Sequence, residues 1–164
     1  MKRTSLILLL SLSVGFCYGQ GSKQRSKQNV IREICWIKDY ETGDKEYKDS
    51  EEFFDENGKV IKEFVYDVSG NIKDHFTYEY NEDGKRIKKT EFDDKGKIKN
   101  YEVYEYDGKK LIKETFYNSN GNVKKTFTYT YDGKFLKEKK RLDAQDKIVW
   151  VKRYEYVKSE NEGE

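Results

Sequence analysis

Proline is absent from this sequence, and the 164 residues include one histidine and two cysteines. Because proline interrupts the hydrogen-bond ladder of a β-sheet, its absence suits a chain that is almost all strand and tight turn. So few histidines and cysteines exclude most metal sites built from these residues. The sequence also has no P-loop, nucleophile elbow or dinucleotide fingerprint, and no calcium loop with complete ligand spacing. We therefore expect a protein that is not an enzyme and uses no cofactor.

The one long apolar run lies at the N-terminus, where it follows the positively charged Lys2 and Arg3 and continues through Phe16. Small Gly19 then precedes a polar stretch. This order is typical of a secretory signal peptide, and the run is too short for a stable membrane span. We predict a signal peptide over residues 1–19 and no transmembrane segment after processing. The mature chain is expected to be exported, as a periplasmic, outer-surface or secreted protein.

Cys17 raises the alternative of a lipoprotein that is cleaved before this cysteine and acylated on it. The residue before it is Phe16, where such signals have Gly, Ala or Ser, so soluble cleavage is favoured over lipidation. Cys35 is then the one cysteine that remains, and it is predicted to be a small buried hydrophobic residue, with a reactive or intermolecular thiol as the alternative.

The predicted mature chain is electrically neutral. Lys2 and Arg3 are two of the 33 basic residues, so removing the signal peptide leaves 31 basic residues against 31 acidic ones. Without a basic excess to attract phosphates, nucleic acid is excluded as a partner. The alternation of lysine with glutamate along the chain indicates solvated surface.

Glycines recur at intervals of 12 to 14 residues, and Asp146 continues the series 13 residues after its last glycine. Every second member lies 24 to 26 residues further on, so the repeating unit is a pair of segments. The series comprises Gly58, Gly70, Gly84, Gly96, Gly108, Gly121 and Gly133.

One kind of segment begins G-[NK]-[IV] and carries tyrosines at positions +8 and +10 from the glycine. Even spacing places positions +2, +8 and +10 on one face of a strand, and the alternating polar residues predict a wet opposite face. The other kind of segment begins G-K-x-[IL] and is shorter and richer in lysine. The +2 residues are Ile72, Ile98, Val123 and Ile148, and the first tyrosines are Tyr78, Tyr104, Tyr129 and Tyr154.

An Asp-Gly pair is the whole connection between two predicted strands at 107–108 and again at 132–133. A third Asp-Gly pair, at 83–84, lies in a longer loop. A two-residue Asp-Gly connection predicts a hairpin with a type I′ turn, in which both central residues have positive φ. The other joints predict loops of four or five residues that a glycine with positive φ closes. The predicted turn residues are Asp107, Gly108, Asp132, Gly133, Asp83 and Gly84.

These patterns predict an all-β fold, in which an antiparallel meander of about 8–10 strands forms a single twisted or curled sheet. Either the sheet curls on itself, or its tyrosines shield one another beneath lysine side chains. A polar linker over 20–28 and an N-terminal capping region over 29–57 precede the repeats of 58–158, and 159–164 form a polar tail. Residues 29–40 are predicted as a strand covered on both faces, with a short helix as the alternative.

Four short motifs resemble the RHS or YD repeat: YDVSGNI at 66–72, TYEYNEDGK at 77–85, FDDKGKI at 92–98 and VYEYDGK at 103–109. The likeness covers about residues 54–157 and extends to MORN-type repeats, which build similar hairpin ribbons. It implies a secreted β-repeat protein of an envelope-bearing bacterium. In long members, YD repeats coil into a shell around a toxin segment, whereas this chain has about four units, too few to enclose anything. The resemblance carries over no catalytic residue.

Exposed aromatic side chains are favoured at interfaces, and they predict a binding module for a carbohydrate or protein of the cell envelope. The candidate binding face comprises Tyr101, Val103, Lys99 and His75, which share one strand parity. In the alternative interpretation, Tyr101 is a cross-strand packing partner and His75 is a solvated residue.

Two other functions remain open. Sheet edges accept further strands, so the protein could be a structural or assembly scaffold. An immunity or antitoxin role is implied by the family resemblance alone. The alternating charges on the edge strands favour a monomer.

Overall fold

The computed structural model describes residues 22–39 and 45–157 and shows one open sheet of ten antiparallel strands. The strands follow chain order from one edge to the other, which confirms the predicted all-β meander. The proposed signal peptide, with Cys17, and the polar tail of 159–164 lie outside the described residues. No helix in the described ranges is long and apolar enough to cross a membrane.

The elements are α1 Ser22–Lys27, β1 Arg32–Asp39, β2 Lys45–Phe54, β3 Val60–Tyr66, β4 Ile72–Tyr80, β5 Arg86–Phe92, β6 Ile98–Asp107, β7 Lys110–Asn118, β8 Val123–Asp132, β9 Phe135–Leu142 and β10 Ile148–Arg153.

The N-terminal segments differ in part from the sequence predictions. Residues 20–28 were predicted as a polar linker, but Ser22–Lys27 form the short helix α1. The prediction of a strand within 29–40 is confirmed by β1, and the helical alternative for that segment is wrong. The expectation that this strand is covered on both faces is also wrong, because the neighbouring Trp36 and Ile37 are 58% and 41% exposed. Cys35 on β1 is half-buried, so the prediction of a small buried hydrophobic residue is also wrong.

Six hairpin loops share one hydrogen-bond pattern, which begins at an aspartate or asparagine. In the example at Asp67, its N–H donates to the carbonyl of Asn71, and the N–H of Gly70 donates to the carbonyl of Asp67, both at 2.9 Å. The carboxylate of Asp67 also accepts from the backbone N–H groups of Ser69 and Asn71. The glycine has a φ of 83°, as predicted, and Asp146 takes the equivalent position in the last loop with a φ of 59°. The loops begin at Asp55, Asp67, Asn81, Asp93, Asn118 and Asp143.

The two-residue turns differ from the predicted type. Asp107 pairs with Lys110, so the central residues are Gly108 and Lys109 rather than Asp107 and Gly108. Gly108 has a φ of 51°, whereas Lys109 is not among the described residues with positive φ. Positive φ at the first central residue alone is the pattern of a type II′ turn. The turn at Asp132-Gly133 is shifted in the same way, because Asp132 pairs with Phe135.

A β-bulge interrupts each of the nine strand pairs. Between β3 and β4, Val65 pairs with Asp74 and Tyr66 pairs with Ile72, which leaves Lys73 without a ladder partner. One extra residue reverses the side-chain parity along the strand. Ile72 therefore lies on the face opposite to Tyr78, and the prediction that positions +2 and +8 share a face is wrong.

The two faces of the sheet carry different recurring positions of the repeat, tyrosines on one face and threonines on the other. The tyrosine face carries Tyr78, Tyr104 and Tyr129, and the threonine face carries Thr90, Thr115 and Thr126. The threonine face is predicted to be wet, yet these three threonines are each only 4% exposed. Other polar side chains of the face are open to solvent, with Glu79 54% and Glu105 50% exposed. The prediction of one wet side is therefore wrong for the buried threonines alone.

Lysine side chains take the place of a second layer. Within the described residues, strands contact only their sequence neighbours, so the alternative of a sheet curled on itself is wrong. The ammonium of Lys89 lies 4.3 Å from the ring centroid of Phe76, and that of Lys125 lies 4.3 Å from the ring of Phe116. These contacts support the other alternative, in which lysines lie across the aromatic rings.

Helix α1 covers the first loop of the repeats. The guanidinium of Arg25 lies 4.2 Å from the ring centroid of Phe54, one of the two buried hydrophobic residues of the described ranges. Arg25 Nε donates to the carbonyl of Gly58 at 3.1 Å, and Ser26 Oγ donates to the carbonyl of Glu56 at 2.7 Å. The helix therefore shields the start of the sheet by charged and polar contacts.

Alanine substitutions at two glycines distinguish the contact between α1 and the first loop from the backbone strain of a positive φ. Gly58 and Gly70 occupy the same loop position with φ of 71° and 83°, but a Cβ on Gly58 would lie 2.1 Å from the carbonyl oxygen of Ser22. A Cβ on Gly70 would meet nothing within 4 Å. We expect Gly70→Ala to cost about 1 kcal/mol from positive φ alone, and Gly58→Ala to cost at least about 1 kcal/mol more from the lost docking of α1. Urea unfolding measures both, and equal losses would contradict the docking of α1.

Candidate binding surfaces

Three of the four predicted site residues lie on the threonine face. Tyr101 pairs across strands with Thr90, and Val103 pairs with Thr115. His75 lies two residues from Thr77, which pairs with Thr90 on the same face. The structure thus places these three side chains in adjacent rows of one surface.

Lys99 does not belong to that surface. It is the bulged residue between Ile98 and Asn100, and its ammonium forms ion pairs with Glu91 and Asp74. Its hydrogen bond to Glu91 raises the pKa of Lys99. Because Glu91 pairs with Phe76 on the tyrosine face, the prediction that Lys99 shares a face with Tyr101 is wrong, and the bulge is the cause.

His75 is enclosed between two aromatic rings. The ring centroid of Phe64 lies 4.5 Å from that of His75, and the centroid of Phe92 lies 4.8 Å away on the other side, both nearly parallel to the imidazole. Burial lowers the pKa of His75, and the nearby ammonium of Lys62 lowers it further. Its Nε2 is buried without a hydrogen-bond partner in the described part of the chain. The interpretation of His75 as a solvated residue is therefore wrong.

Tyr101 is half-buried and uses one ring face for packing. Its ring lies 4.6 Å from that of Tyr117 at an interplanar angle of 11°, and the ammonium of Lys88 lies 5.8 Å from its centroid. These contacts support the alternative interpretation, in which Tyr101 packs against a neighbouring strand. They leave little of the ring surface open to a ligand.

The second tyrosine of each repeat makes the same hydrogen bond in every copy. Its hydroxyl donates to a backbone carbonyl 20 residues earlier, on the preceding strand, at 2.8 to 2.9 Å in all four copies. Each accepting carbonyl belongs to the residue that precedes a bulged residue. The four donors and acceptors are Tyr80 and Val60, Tyr106 and Arg86, Tyr131 and Leu111, and Tyr156 and Leu136.

The last of these tyrosines has a different neighbour. A lysine 21 residues earlier places its ammonium within 5.3 to 5.7 Å of the ring in the first three copies, as with Lys110 and Tyr131. In the fourth copy the equivalent residue is Phe135, whose ring lies 4.7 Å from that of Tyr156 at 44°. The pattern GKKL at 108–111 and GKFL at 133–136 contains this change, but the sequence interpretation did not use it.

These two rings line a groove of about 740 Å³ at the start of β9, called here the terminal groove. Phe135 is 53% exposed and Tyr156 is 52% exposed, whereas the three equivalent internal tyrosines are half-buried. The backbone N–H of Tyr154 donates to the carbonyl of Lys137 at 3.0 Å, which fixes the wall of the groove. The lining residues are Asp132, Gly133, Lys134, Phe135, Lys137, Tyr154, Tyr156 and Val157.

Carboxylates on the tyrosine face are bound by hydroxyl groups. Tyr78 donates to the buried carboxylate of Glu63 at 2.5 Å, and Tyr129 donates to Glu114 at 2.8 Å. Burial, followed by these hydrogen bonds, raises the pKa of Tyr78 and Tyr129. Within the described ranges, no group of three histidine, cysteine, aspartate or glutamate side chains is arranged to hold a metal ion.

The enclosure of His75 predicts a pH dependence of stability. Because the folded state lowers its pKa below the ordinary value near 6.5, the unfolded chain binds more protons in the window just below that value. The free energy of unfolding should therefore fall as the pH is lowered from about 7.5 through the folded pKa. In His75→Phe this loss should be absent, since His75 is the one histidine of the sequence. Parallel curves of unfolding free energy against pH for the two proteins would contradict the enclosure.

No protein-family model and no curated protein matches the sequence. Among solved structures, the chain is similar to the crystal structure of TcdB2-TccC3-TEV, with 16% identity and a TM-score of 0.41 over 76% of this chain and 8% of that one. It is also similar to the crystal structure of TarM, with 17% identity and a TM-score of 0.30 over 77% of this chain and 22% of that one. The chain thus spans less than a quarter of the length of either protein.

Proposed function

We propose that this protein is an exported, non-enzymatic binding module of the YD-repeat kind, which binds a glycan or protein of the cell envelope through the terminal groove. One observation carries the proposal: the last repeat has Phe135 where the three earlier repeats have a lysine against the tyrosine ring. The last repeat lies at the edge of the sheet, and both of its rings are half-exposed there.

The residue type at position 135, rather than its exposure at the sheet edge, distinguishes the last repeat from the internal copies. Three internal copies show that the same backbone accommodates a lysine, whose charged end keeps the position solvated. An aromatic pair with adjacent polar groups is typical of ligand pockets and of interface anchors. The terminal groove therefore replaces the predicted Tyr101 face as the candidate site.

Capture from cell envelope tests the proposal. The purified protein is immobilised and incubated with envelope from the organism that produces it, with protease-treated and glycan-stripped envelope in parallel. We expect saturable capture, reduced at least about tenfold in Phe135→Lys, because this change restores the lysine of the other repeats and removes one ring. Both proteins should unfold at similar urea concentrations.

Two results would contradict this assignment. If envelope components are not retained by the wild-type protein, the binding function has no support. If Tyr101→Ala abolishes capture while Phe135→Lys retains it, the site is on the threonine face.

Assembly through the sheet edges is the second candidate function. Both edge strands expose apolar side chains: Trp36 on β1 is 58% exposed, and Ile148 on β10 is 52% exposed. Edge strands with such side chains pair with strands of other chains. A sedimentation coefficient that rises with protein concentration, and that Trp36→Lys keeps constant, would identify this function, whereas a binding module of this design sediments as a monomer.

A further inference from the structure

We propose that the terminal groove is a carbohydrate site that receives one acidic pyranose residue of an oligosaccharide. The inference rests on the proposed function and names the ligand class of the same groove. Three features of the groove support it: the two exposed rings, the hydrogen bonds that fix them, and the lysines beside them.

The two rings offer an apolar surface of the size of one sugar. Phe135 and Tyr156 lie 4.7 Å apart at 44°, so they form a tilted shelf and not a closed stack. The C–H bonds on one side of a pyranose are slightly positive, and the face of an aromatic ring is negative. A sugar ring therefore packs on such a shelf while its hydroxyl groups remain in water.

The shelf is fixed before any ligand arrives. The hydroxyl of Tyr156 donates to the carbonyl of Leu136 at 2.8 Å, and the N–H of Tyr154 donates to the carbonyl of Lys137 at 3.0 Å. These bonds hold the ring of Tyr156 and the backbone beside it in one arrangement. A ligand that binds here loses little affinity to the ordering of the protein.

The polar groups of the groove favour a negative ligand. Lys134 and Lys137 are exposed lining residues, and neither forms an ion pair within the described part of the chain. Two unpaired ammonium groups against the one carboxylate of Asp132 leave an excess positive charge beside the shelf. A carboxylate on the sugar would complement it.

A folded protein partner fits this site less well. Stable protein interfaces bury about 800 Å² on each partner, and their centres are poor in lysine. Here the two lysines lie among the residues that line the groove itself. The observations therefore favour a sugar ring that is covered by the shelf on one side and contacted by ammonium groups at its edge.

Calorimetry with defined oligosaccharides tests the inference on the purified protein. The probes are tetragalacturonate, a hyaluronan tetrasaccharide and a sialic acid trimer, with tetragalactose as the neutral counterpart of the first. We expect at least one acidic probe to bind at least about tenfold more tightly than the neutral one. Phe135→Gln should reduce that affinity at least about tenfold, because glutamine removes the ring without adding a charge. The matched control is Trp36→Gln, which removes an exposed ring at the other edge of the sheet and should leave the affinity unchanged.

A second variant tests the charge separately. Exchange of both Lys134 and Lys137 for glutamine should bring the acidic probe down to the affinity of its neutral counterpart, with the stability of the protein unchanged. The inference is overturned if no acidic probe binds, if neutral and acidic probes bind equally, or if Phe135→Gln binds as the wild type does. If the envelope experiment still shows capture of a protein that depends on Phe135, the proposed binding function stands and only the ligand class is wrong.

Discussion

The bond from a tyrosine hydroxyl to the backbone carbonyl before a β-bulge is the interaction on which this fold depends. It occurs once in every repeat, with the same sequence separation of 20 residues and nearly the same length. A one-layer sheet has no opposing layer against which to bury a core. A side-chain bond that joins one segment of each repeat to the strand before it, repeated along the sheet, supplies part of the stability that a core would provide.

The high and balanced charge of the chain follows from the same constraint. Lysine side chains cover aromatic rings, as Lys89 covers Phe76, and other lysines neutralise carboxylates on neighbouring strands, as Lys88 does for Glu79. Many of the positive and negative side chains therefore accompany each other because they pair across strands. The pattern changes at Phe135, where an aromatic ring stands in place of the lysine, and this ring, the ring of Tyr156 and two exposed lysines line the groove that we propose as the site.

The sequence predicts what depends on local backbone chemistry. The number and order of the strands and the positive φ of the loop glycines follow from residues close together in the chain, and they are confirmed. The face of each side chain was predicted less well, because a single bulge reverses parity and leaves no local signal, as Ile72 and Lys99 show. The enclosure of His75 and the pairing of Phe135 with Tyr156 were missed because both environments come from neighbouring strands. Helix α1 was missed because its docking depends on Arg25 reaching Phe54 and Gly58.

The most direct test of the central claim is the free energy of unfolding, measured in urea, for the four tyrosines changed one at a time to phenylalanine. Each change keeps the ring and removes only the hydroxyl. Tyr80→Phe, Tyr106→Phe and Tyr131→Phe should each lose about 1 kcal/mol, because a part-buried carbonyl loses its partner, and Tyr156→Phe should lose less, since its bond is exposed. If the three internal variants are as stable as the wild type, the tyrosine bonds do not hold the sheet together.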